Sequence, residues 1–325
     1  MMLNTESEFE IIQRYFTKNK SSSSCVIKGI GDDAAVIDVS NQSNLVVSMD
    51  TLIQGVHFPI NTNPYDIAVK SLAVNLSDLA AMGATPSWFT LALTLPNIDS
   101  KWLSEFSRGL FDMAKHYDVE LIGGDTTSGP NDSLSITIQI AGYVDNNIMY
   151  RSGAQVNDDI YVSGYLGDAG AALQLLVKEN DSEFVNDYLI TRLNKPTPRI
   201  LLGKTIREIS NSCIDISDGL AADLDHIIES SKCGALINVD KLPISNELHD
   251  ILDNESCFDL ALSSGDDYEL CFTVAEKFCD DIQSISRELE IPITKIGKVV
   301  EGTEVRFIFD SKPYTINSKG YEHFK

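Results

Sequence analysis

Aspartates placed next to glycines are the residues of this sequence whose type and spacing could do chemistry. They lie at four places along the chain: Asp32 and Asp33 after Gly31, Asp125 after Gly123-Gly124, Asp215 and Asp218 before Gly219, and Asp266 and Asp267 after Gly265. Asp50 ends a predicted apolar strand, and Asp78 lies on the polar side of a predicted helix with Ser71 and Asn75. A solvated surface would favour glutamate and lysine in mixed pairs, so this pattern indicates a binding site.

The paired aspartates need a cation if their side chains converge. Two carboxylates ~4 Å apart repel each other by about 4 kcal/mol at an effective dielectric constant near 20. Ligation by oxygen alone suits Mg²⁺, which typically uses one or two carboxylates together with substrate phosphates. Such an ion would also reconcile an acidic protein with a phosphate substrate. Each aspartate taken alone is more often a turn or cap residue than a ligand.

The composition excludes several classes of partner. The 325 residues include 25 basic and 48 acidic side chains, which give a formal net charge of −23. This balance argues against a nucleic-acid binder and against a helix on anionic lipid, because nothing offsets the repulsion from phosphates. No apolar run approaches the ~18 residues of a membrane span, and the acidic N-terminus lacks a secretory signal. Six cysteines without a C-x-x-C or metal spacing predict a reduced, cytoplasmic protein.

Familiar phosphate and metal motifs do not fit. Gly203-Lys204-Thr205 is similar to the end of a P-loop, but Pro198 occupies the position of the first glycine, and the segment is predicted to be helical. The segment from Gly29 to Ala34 matches a dinucleotide-binding pattern as text, yet its two aspartates would repel a pyrophosphate. Zinc-protease, nucleophile-elbow and EF-hand spacings are absent from the sequence.

Alternating strand and helix patterns predict two α/β domains, residues 1–147 and 148–325. A capping box at Thr5-Glu6-Ser7-Glu8 predicts a short N-terminal helix. Longer helices are predicted at Tyr65–Met82, Trp102–Tyr117, Ala169–Lys178, Pro198–Ile209, Leu220–Ser230 and Phe278–Leu289. Strands are predicted at Ala34–Val39, Leu45–Met49, Trp88–Leu95, Val119–Ile122, Leu134–Val144, Ile160–Ser163, Cys213–Ile216, Ala235–Val239, Leu270–Val274 and Ile293–Val299. Both domains therefore carry aspartates of the candidate site.

Eight segments carry a resemblance that covers the chain from about Glu8 to Phe324. They are Gly29-Ile-Gly-Asp-Asp-Ala-Ala, Ser48-Met-Asp-Thr-Leu, His57-Phe, Lys70-Ser-Leu-Ala-Val-Asn-Leu-Ser-Asp-Leu-Ala-Ala-Met-Gly-Ala, Gly123-Gly-Asp-Thr-Thr, Arg151-Ser-Gly-Ala, Ile216-Ser-Asp-Gly-Leu and Gly265-Asp-Asp-Tyr-Glu-Leu. In this order they resemble the bacterial thiamine-monophosphate kinases, a family of the aminoimidazole-ribonucleotide-synthetase (PurM-like) superfamily.

The resemblance implies a fold, a reaction and a dimer. The fold would be mixed α/β, with an N-terminal domain that binds ATP and metal and dimerises through its sheet, followed by a C-terminal α/β domain. The reaction would convert ATP and thiamine monophosphate to ADP and thiamine diphosphate, by direct in-line transfer assisted by Mg²⁺. The implied partners are ATP, thiamine monophosphate and a second copy of the chain.

The resemblance also implies roles for individual residues. The implied metal-binding positions are Asp33, Ser48, the backbone of Met49, Asp50, Asp78, Asp125, Asp215 and Asp218. The implied nucleotide contacts are Gly124, Asp125, Arg151 and Ser217, and the implied substrate contacts are His57, Asp266 and Tyr321. Asp50, Asp78, Asp125 and Arg151 would carry catalysis, which in phosphoryl transfer is mostly positioning and charge neutralisation.

Some alternatives stay open on the sequence. The family usually has glutamate at the position of Asp266, and His57 and Tyr321 could instead be packing residues. Another enzyme of the superfamily would use a different acceptor, but the reactive-cysteine arrangements of selenophosphate synthetases and hydrogenase-maturation proteins are not matched. An acidic cation-binding protein without enzymatic activity would explain the composition. It would not explain Arg151 or carboxylates at turns in both domains.

Overall fold

The computed structural model describes residues 11–17, 26–28, 36–37, 44–130, 133–178, 186–318 and 320–321. The chain forms two compact units, residues 1–79 with 85–146 and residues 80–84 with 147–325. Both units combine sheets with helices, which confirms the predicted mixed α/β class. Across the described ranges, no helix is long and apolar enough to cross a lipid bilayer.

The first unit is built on a four-stranded sheet with the strand order β3-β6-β4-β5, so that β3 and β5 are its edges. The elements are a π-helical turn (Ile12–Phe16), β1 (Val26–Lys28), β2 (Val36–Ile37), β3 (Asn44–Ile53), α1 (Pro64–Ala81), β4 (Thr85–Leu95), α2 (Ser100–His116), β5 (Glu120–Ser128) and β6 (Ser135–Val144). β4 and β5 run parallel, whereas β6 pairs antiparallel with both β3 and β4.

Helix α1 is buried on its polar side as well as on its apolar side. The predicted apolar stripe, which includes Leu72 and Leu76, is fully buried. Ser71 and Asn75, from the predicted polar row, are also fully buried, and their side chains donate to backbone carbonyls one turn earlier. Because buried polar groups need hydrogen-bond partners, this row is part of the packed structure rather than a solvated face.

Strand β3 presents different side chains on its two faces. Successive side chains of a strand point to opposite faces of the sheet. Ser48 and Asp50 are partly buried on the face covered by α1, whereas Val47 and Met49 are exposed on the other face, Met49 to 63%. The sheet therefore has one face covered by helix and an exposed apolar strip along β3.

The second unit contains a seven-stranded sheet with the order β13-β12-β9-β11-β7-β10-β8. Its helices are α3 (Asp168–Lys178), α4 (Asp187–Asn194), α5 (Ile200–Ile206), α6 (Leu220–Ser231), α7 (Asn246–His249), α8 (Asn254–Ser263) and α9 (Cys279–Leu289). Its strands are β7 (Asp159–Ser163), β8 (Ser210–Asp215), β9 (Gly234–Asn238), β10 (Leu270–Val274), β11 (Ile293–Val300), β12 (Val305–Phe309) and β13 (Lys312–Tyr314). Neighbouring residues of β8 lie in separate hydrophobic cores. Ile214 lies in a core that includes Leu224 of α6, and Cys213 lies in a core that includes Leu202 of α5.

The structure differs from the sequence predictions at two site positions. Asp50 does not end its strand, because β3 continues to Ile53. Asp125 does not follow a turn, because Gly123-Gly124-Asp125 lies inside β5 and pairs with β4 in a parallel ladder. The predicted capping box and Asp33 lie outside the described residues.

Candidate active site

Ser48, Asp50 and Asp78 come together where β3 packs on α1. Ser48 Oγ donates to Asp78 Oδ2 at 2.5 Å, the short distance typical of a hydroxyl bound to a carboxylate. The backbone N–H of Asp50 donates to Asn75 Oδ1 at 3.1 Å. Met49 lies between the two β3 residues with its side chain on the opposite face, so only its backbone adjoins this corner. Three predicted metal-binding side chains therefore lie on one face.

His57 lies in the turn that follows β3. Its Nδ1 accepts the N–H of Ile53 at 3.0 Å, and a neutral imidazole with an accepting Nδ1 carries its proton on Nε2. Lys70 of α1 is 2% exposed, and its Nζ donates to the His57 carbonyl at 3.2 Å. The buried ammonium therefore anchors the turn, which fixes the His57 ring at the end of the strand that carries Asp50.

Gly124 and Asp125 lie on the opposite edge of the same sheet. A Cβ at Gly124 would come within 1.9 Å of the Leu91 carbonyl oxygen, so a residue with a side chain would displace β4. Asp50 and Gly124 lie at the same level of the sheet. Asp50 pairs with Ile138 of β6, Ile138 pairs with Leu91 of β4, and Leu91 pairs with Gly124 of β5. Three strand spacings separate β3 from β5, which is roughly 14 Å. Asp50 and Asp125 of one chain are therefore too far apart to share one Mg²⁺, whose ligands lie about 2.1 Å from the ion.

Two adjacent loops of the second unit bring several predicted site residues together. Residues 216–219 join β8 to α6, and residues 264–269 precede β10. Asp266 N donates to the Ser217 carbonyl at 2.9 Å, and Tyr321 N donates to the Asp218 carbonyl at 2.9 Å. Asp215 is the last residue of β8 and leads directly into the first loop. Five predicted site residues thus lie at one end of β8.

Asp223, which is not among the predicted site residues, organises the first of these loops. It is 3% exposed, and its Oδ2 accepts the N–H groups of Ser217, Asp218 and Gly219 at 3.0, 3.1 and 3.2 Å. Burial and the nearby Asp215 carboxylate raise the pKa of Asp223 to about 7, against the lowering effect of these hydrogen bonds. Asp215, Asp218 and Asp223 thus place three carboxyl groups at this loop, where a cation would offset their mutual repulsion.

A buried ion cluster lies at the end of the second loop. The Glu269 carboxylate is 0% exposed and accepts from Arg199 Nε and Nη2 at 2.6 Å each, from Arg192 Nη2 at 3.0 Å and from Ser163 Oγ at 2.6 Å. Burial alone would raise the pKa of Glu269, but the charges and hydrogen bonds of the two arginines lower it. The cluster fixes the segment that carries Asp266 three residues earlier.

Arg151 lies at the other end of α6. It is exposed, and its loop is bound to the last residue of that helix, because Ser231 Oγ lies 3.1 Å from the backbone nitrogens of both Gly153 and Ala154. The helix rises about 12 Å between Asp223 and Ser231 at 1.5 Å per residue. The structure therefore does not place Arg151 beside the loop at residues 216–219.

The donor set of the candidate site suits Mg²⁺. Within the described ranges, no three His, Cys, Asp or Glu side chains lie together as a metal-binding cluster. Smaller groups of carboxylates and hydroxyls are present, Ser48 with Asp78 in the first unit and Asp215 beside Asp223 in the second. Mg²⁺ is usually held by one or two carboxylates while phosphates and water complete its shell, so these groups fit it. Asp33, a further predicted ligand, lies outside the described residues.

Asp223 and Lys70 carry sequence signals that could have identified them. Asp223 lies in the first turn of a predicted helix that follows a glycine, where a carboxylate is favoured by the helix dipole. Lys70 lies in an otherwise apolar helix segment, and a lysine is rarely fully buried unless it has a polar partner. The identity of each partner depends on long-range packing and could not be read from the sequence.

Both units match known protein families. Residues 31–144 match the family described as AIR synthase related protein, N-terminal domain, and residues 155–310 match AIR synthase related protein, C-terminal domain. These matches confirm the predicted superfamily and its two-domain fold.

Whole-chain relatives define the family more narrowly. The thiamine-monophosphate kinase of Escherichia coli strain K12 is 47% identical over 323 residues, 98% of each chain. The crystal structure of thiamine-monophosphate kinase from Stenotrophomonas maltophilia K279a covers 96% of this chain and 98% of its own, with 42% identity and a TM-score of 0.84. A structure described as AaThiL complexed with AMPPCP and TMP covers 100% of this chain and 99% of its own, with 32% identity and a TM-score of 0.77. Since this likeness extends over both units and the loops between their elements, the chain belongs to the thiamine-monophosphate kinase family.

Proposed function

We propose that this chain transfers the γ-phosphoryl group of ATP to thiamine monophosphate and so produces ADP and thiamine diphosphate. The observation that carries the proposal is the 47% identity to the Escherichia coli kinase over 98% of both chains. The AaThiL structure, a relative complexed with AMPPCP and TMP, supports both substrates.

Magnesium would be held by oxygen ligands in each unit. Ser48, Asp50 and Asp78, with Asp33, would bind it in the first unit, and Asp215 and Asp218 would bind it in the second. When bound, Mg²⁺ supplies charge neutralisation on the transferred phosphoryl group and bridges phosphate oxygens. The charges of Asp215 and Asp218 both act on the Asp223 carboxyl, and this gathering of three carboxyl groups supports the assignment.

The chain itself would act by positioning its two substrates. The acceptor is a phosphate monoester, whose second pKa near 6 leaves it largely ionised at neutral pH, so no strong general base is needed. His57, Asp266 and Tyr321 would hold thiamine monophosphate, while Gly124, Arg151 and Ser217 would hold ATP. Transfer would be direct and in line, without a phosphoenzyme: a phosphate oxygen of thiamine monophosphate would attack the γ-phosphorus of ATP as the bond to ADP breaks.

We further propose that the active form is a homodimer that forms through the first unit. Val47, Met49 and other exposed apolar residues of β3 form a strip that a second copy would cover.

The cysteines support a reduced, cytoplasmic location. Cys213, Cys233, Cys257 and Cys271 are free thiols buried in the second unit. Unpaired buried thiols are typical of proteins kept in a reducing compartment.

The test of the proposed reaction is an assay of the purified protein with Mg-ATP and thiamine monophosphate, with the products separated by chromatography. Thiamine diphosphate should form in proportion to ADP. Free thiamine in place of the monophosphate should give no product, because its hydroxyl would require a base. Formation of ADP without thiamine diphosphate would exclude the reaction.

A charge on the exposed strip tests the proposed dimer. Met49→Asp places a carboxylate on the strip that a second copy would cover, so size-exclusion chromatography with light scattering should show a dimer for the unmodified protein and a monomer for this variant. A monomeric unmodified protein, or a variant that stays dimeric, would contradict a dimer formed through β3.

A further inference from the structure

Helix α6 connects the two loops of the second unit to which nucleotide contacts are assigned. Its N-terminus follows the loop at residues 216–219, which contains Ser217, and its C-terminus lies against the loop that begins at Arg151. A polar side chain near each end of the helix is hydrogen-bonded to the backbone of the adjacent loop. The roles of Ser217 and Arg151 rest on the proposed function.

At the N-terminal end of α6, the backbone groups of the loop form hydrogen bonds within the protein. Asp223 Oδ2 accepts three consecutive N–H groups, those of residues 217, 218 and 219. The carbonyls of residues 216, 217, 218 and 219 accept the N–H groups of Tyr268, Asp266, Tyr321 and Asp223 at 2.8 to 3.0 Å. Because these N–H groups are committed, the loop has no backbone donor left at residues 217–219 for a nucleotide phosphate, and its side chains must make such contacts. Its shape therefore depends on Asp223.

At the second end, one hydroxyl group organises the arginine loop. Ser231 Oγ lies 3.1 Å from the nitrogens of Gly153 and Ala154 and 3.4 Å from the Arg151 carbonyl oxygen. Gly153 has a φ of 120°, and a Cβ there would come within 2.3 Å of the Asn211 carbonyl oxygen. The loop thus packs closely on β8 in a conformation that favours glycine, and Ser231 stabilises this conformation.

We propose that Asp223 and Ser231 are positioning residues for nucleotide binding, and that α6 sets the separation of the loops that carry Ser217 and Arg151. Neither residue needs to touch the nucleotide. Each acts by holding the backbone from which a contacting side chain extends. Loss of either should weaken nucleotide binding more than it slows the chemical step, since the side chains that contact the nucleotide remain and only the backbone that holds them is loosened.

Serine variants of α6 give the sharper test, because Ser230 is an exposed neighbour of the same type. Ser231→Ala should raise the KM for Mg-ATP about fivefold, the effect of losing hydrogen bonds of ordinary strength, and leave kcat within twofold. Ser231→Thr keeps the hydroxyl and should restore the KM, while Ser230→Ala should not change it. An unchanged KM in Ser231→Ala would overturn the proposal, as would an equal change in Ser230→Ala.

Asp223 is tested by one isosteric variant and one truncated variant. Asp223→Asn retains an oxygen that can accept the three N–H groups and should keep most of the nucleotide affinity, whereas Asp223→Ala should lose it. Calorimetric titration with Mg-AMPPCP measures this affinity without turnover. Equal losses in the asparagine and alanine variants would overturn the positioning role. An unmodified protein that binds Mg-AMPPCP but forms no thiamine diphosphate would count against the proposed function alone, and the comparison of variants would still decide the role of α6.

Discussion

Removal of the Glu269 charge should destabilise the second unit strongly. Glu269 is fully buried and contacts both Arg199 and Arg192. The substitution Glu269→Gln keeps the shape of the side chain but leaves the Arg199 charge without the carboxylate that it contacts. Breaking a buried ion pair from one side costs about 3–5 kcal/mol. Since the two arginine side chains are 12% and 14% exposed, the lower end of this range, about 3 kcal/mol, is expected.

Thermal unfolding followed by circular dichroism at neutral pH measures this effect. For a unit of this size, each kcal/mol lowers the melting temperature by about 2–4 °C, so Glu269→Gln should melt roughly 6–12 °C below the unmodified protein. The matched control is Glu276→Gln, which removes a carboxylate from an exposed pair with Lys298 at 3.2 Å and should leave the melting temperature unchanged. A shift in Glu269→Gln no larger than that of Glu276→Gln would refute the reasoning.

The same cluster predicts a pH dependence. The pKa of Glu269 is lowered below its ordinary value of 4.5 in the folded protein. A carboxyl group with a lowered folded pKa contributes stability above its unfolded pKa and loses it as the pH falls through the folded value. The difference in melting temperature between the unmodified protein and Glu269→Gln should therefore be constant near neutral pH and narrow below pH 4.5. A gap of constant size down to acid unfolding would contradict the assigned direction of the shift.

Three further substitutions test the first unit. Asp78→Asn should lower kcat about 100-fold or more with an unchanged circular dichroism spectrum, because Asp78 is assigned to the metal site; full activity would remove it from that site. Lys70→Met removes the donor to the His57 carbonyl and should raise the KM for thiamine monophosphate about fivefold with a smaller change in kcat; an unchanged KM in a folded variant would show that the turn does not depend on Lys70. Gly124→Ala brings a methyl group against the Leu91 carbonyl and should lower the free energy of unfolding by about 1–3 kcal/mol in urea denaturation; an unaltered midpoint would contradict the close approach of β4 and β5.

The sequence predicted most elements because their signals are local. The apolar spacing of α1 and the continuous apolar run of β10 were sufficient to identify both elements. Helix α8 was missed although Asp253 caps it through a hydrogen bond from Ser256 N at 2.9 Å, which is a recognisable local signal. Strand β3 was predicted too short because Asp50 was interpreted as its end, whereas the paired strand β6 continues beyond it. The length of β3 is decided by its partner strand β6. The two strands are far apart in the sequence, because Met49 pairs with Gln139, 90 residues later.

The site residues could be predicted by type but not by arrangement. The motif that contains Asp266 also contains Asp267 and Glu269, which are buried at 1% and 0% exposure. Asp266 and Tyr268 have positive φ angles of 70° and 50°, a conformation that no local pattern indicates for these residue types. It is maintained by backbone bonds to residues 216 and 217, about fifty positions earlier. Such long-range contacts determine which carboxylate binds a ligand and which supports a loop.

Phosphorus NMR of a single reaction mixture tests the central claim most directly. With the purified protein, Mg-ATP and thiamine monophosphate, the phosphomonoester signal of thiamine monophosphate should disappear as the two diphosphate signals of thiamine diphosphate appear, with one ADP formed for each. Appearance of inorganic phosphate and ADP while the thiamine monophosphate signal stays constant would contradict the claim that its phosphate is the acceptor.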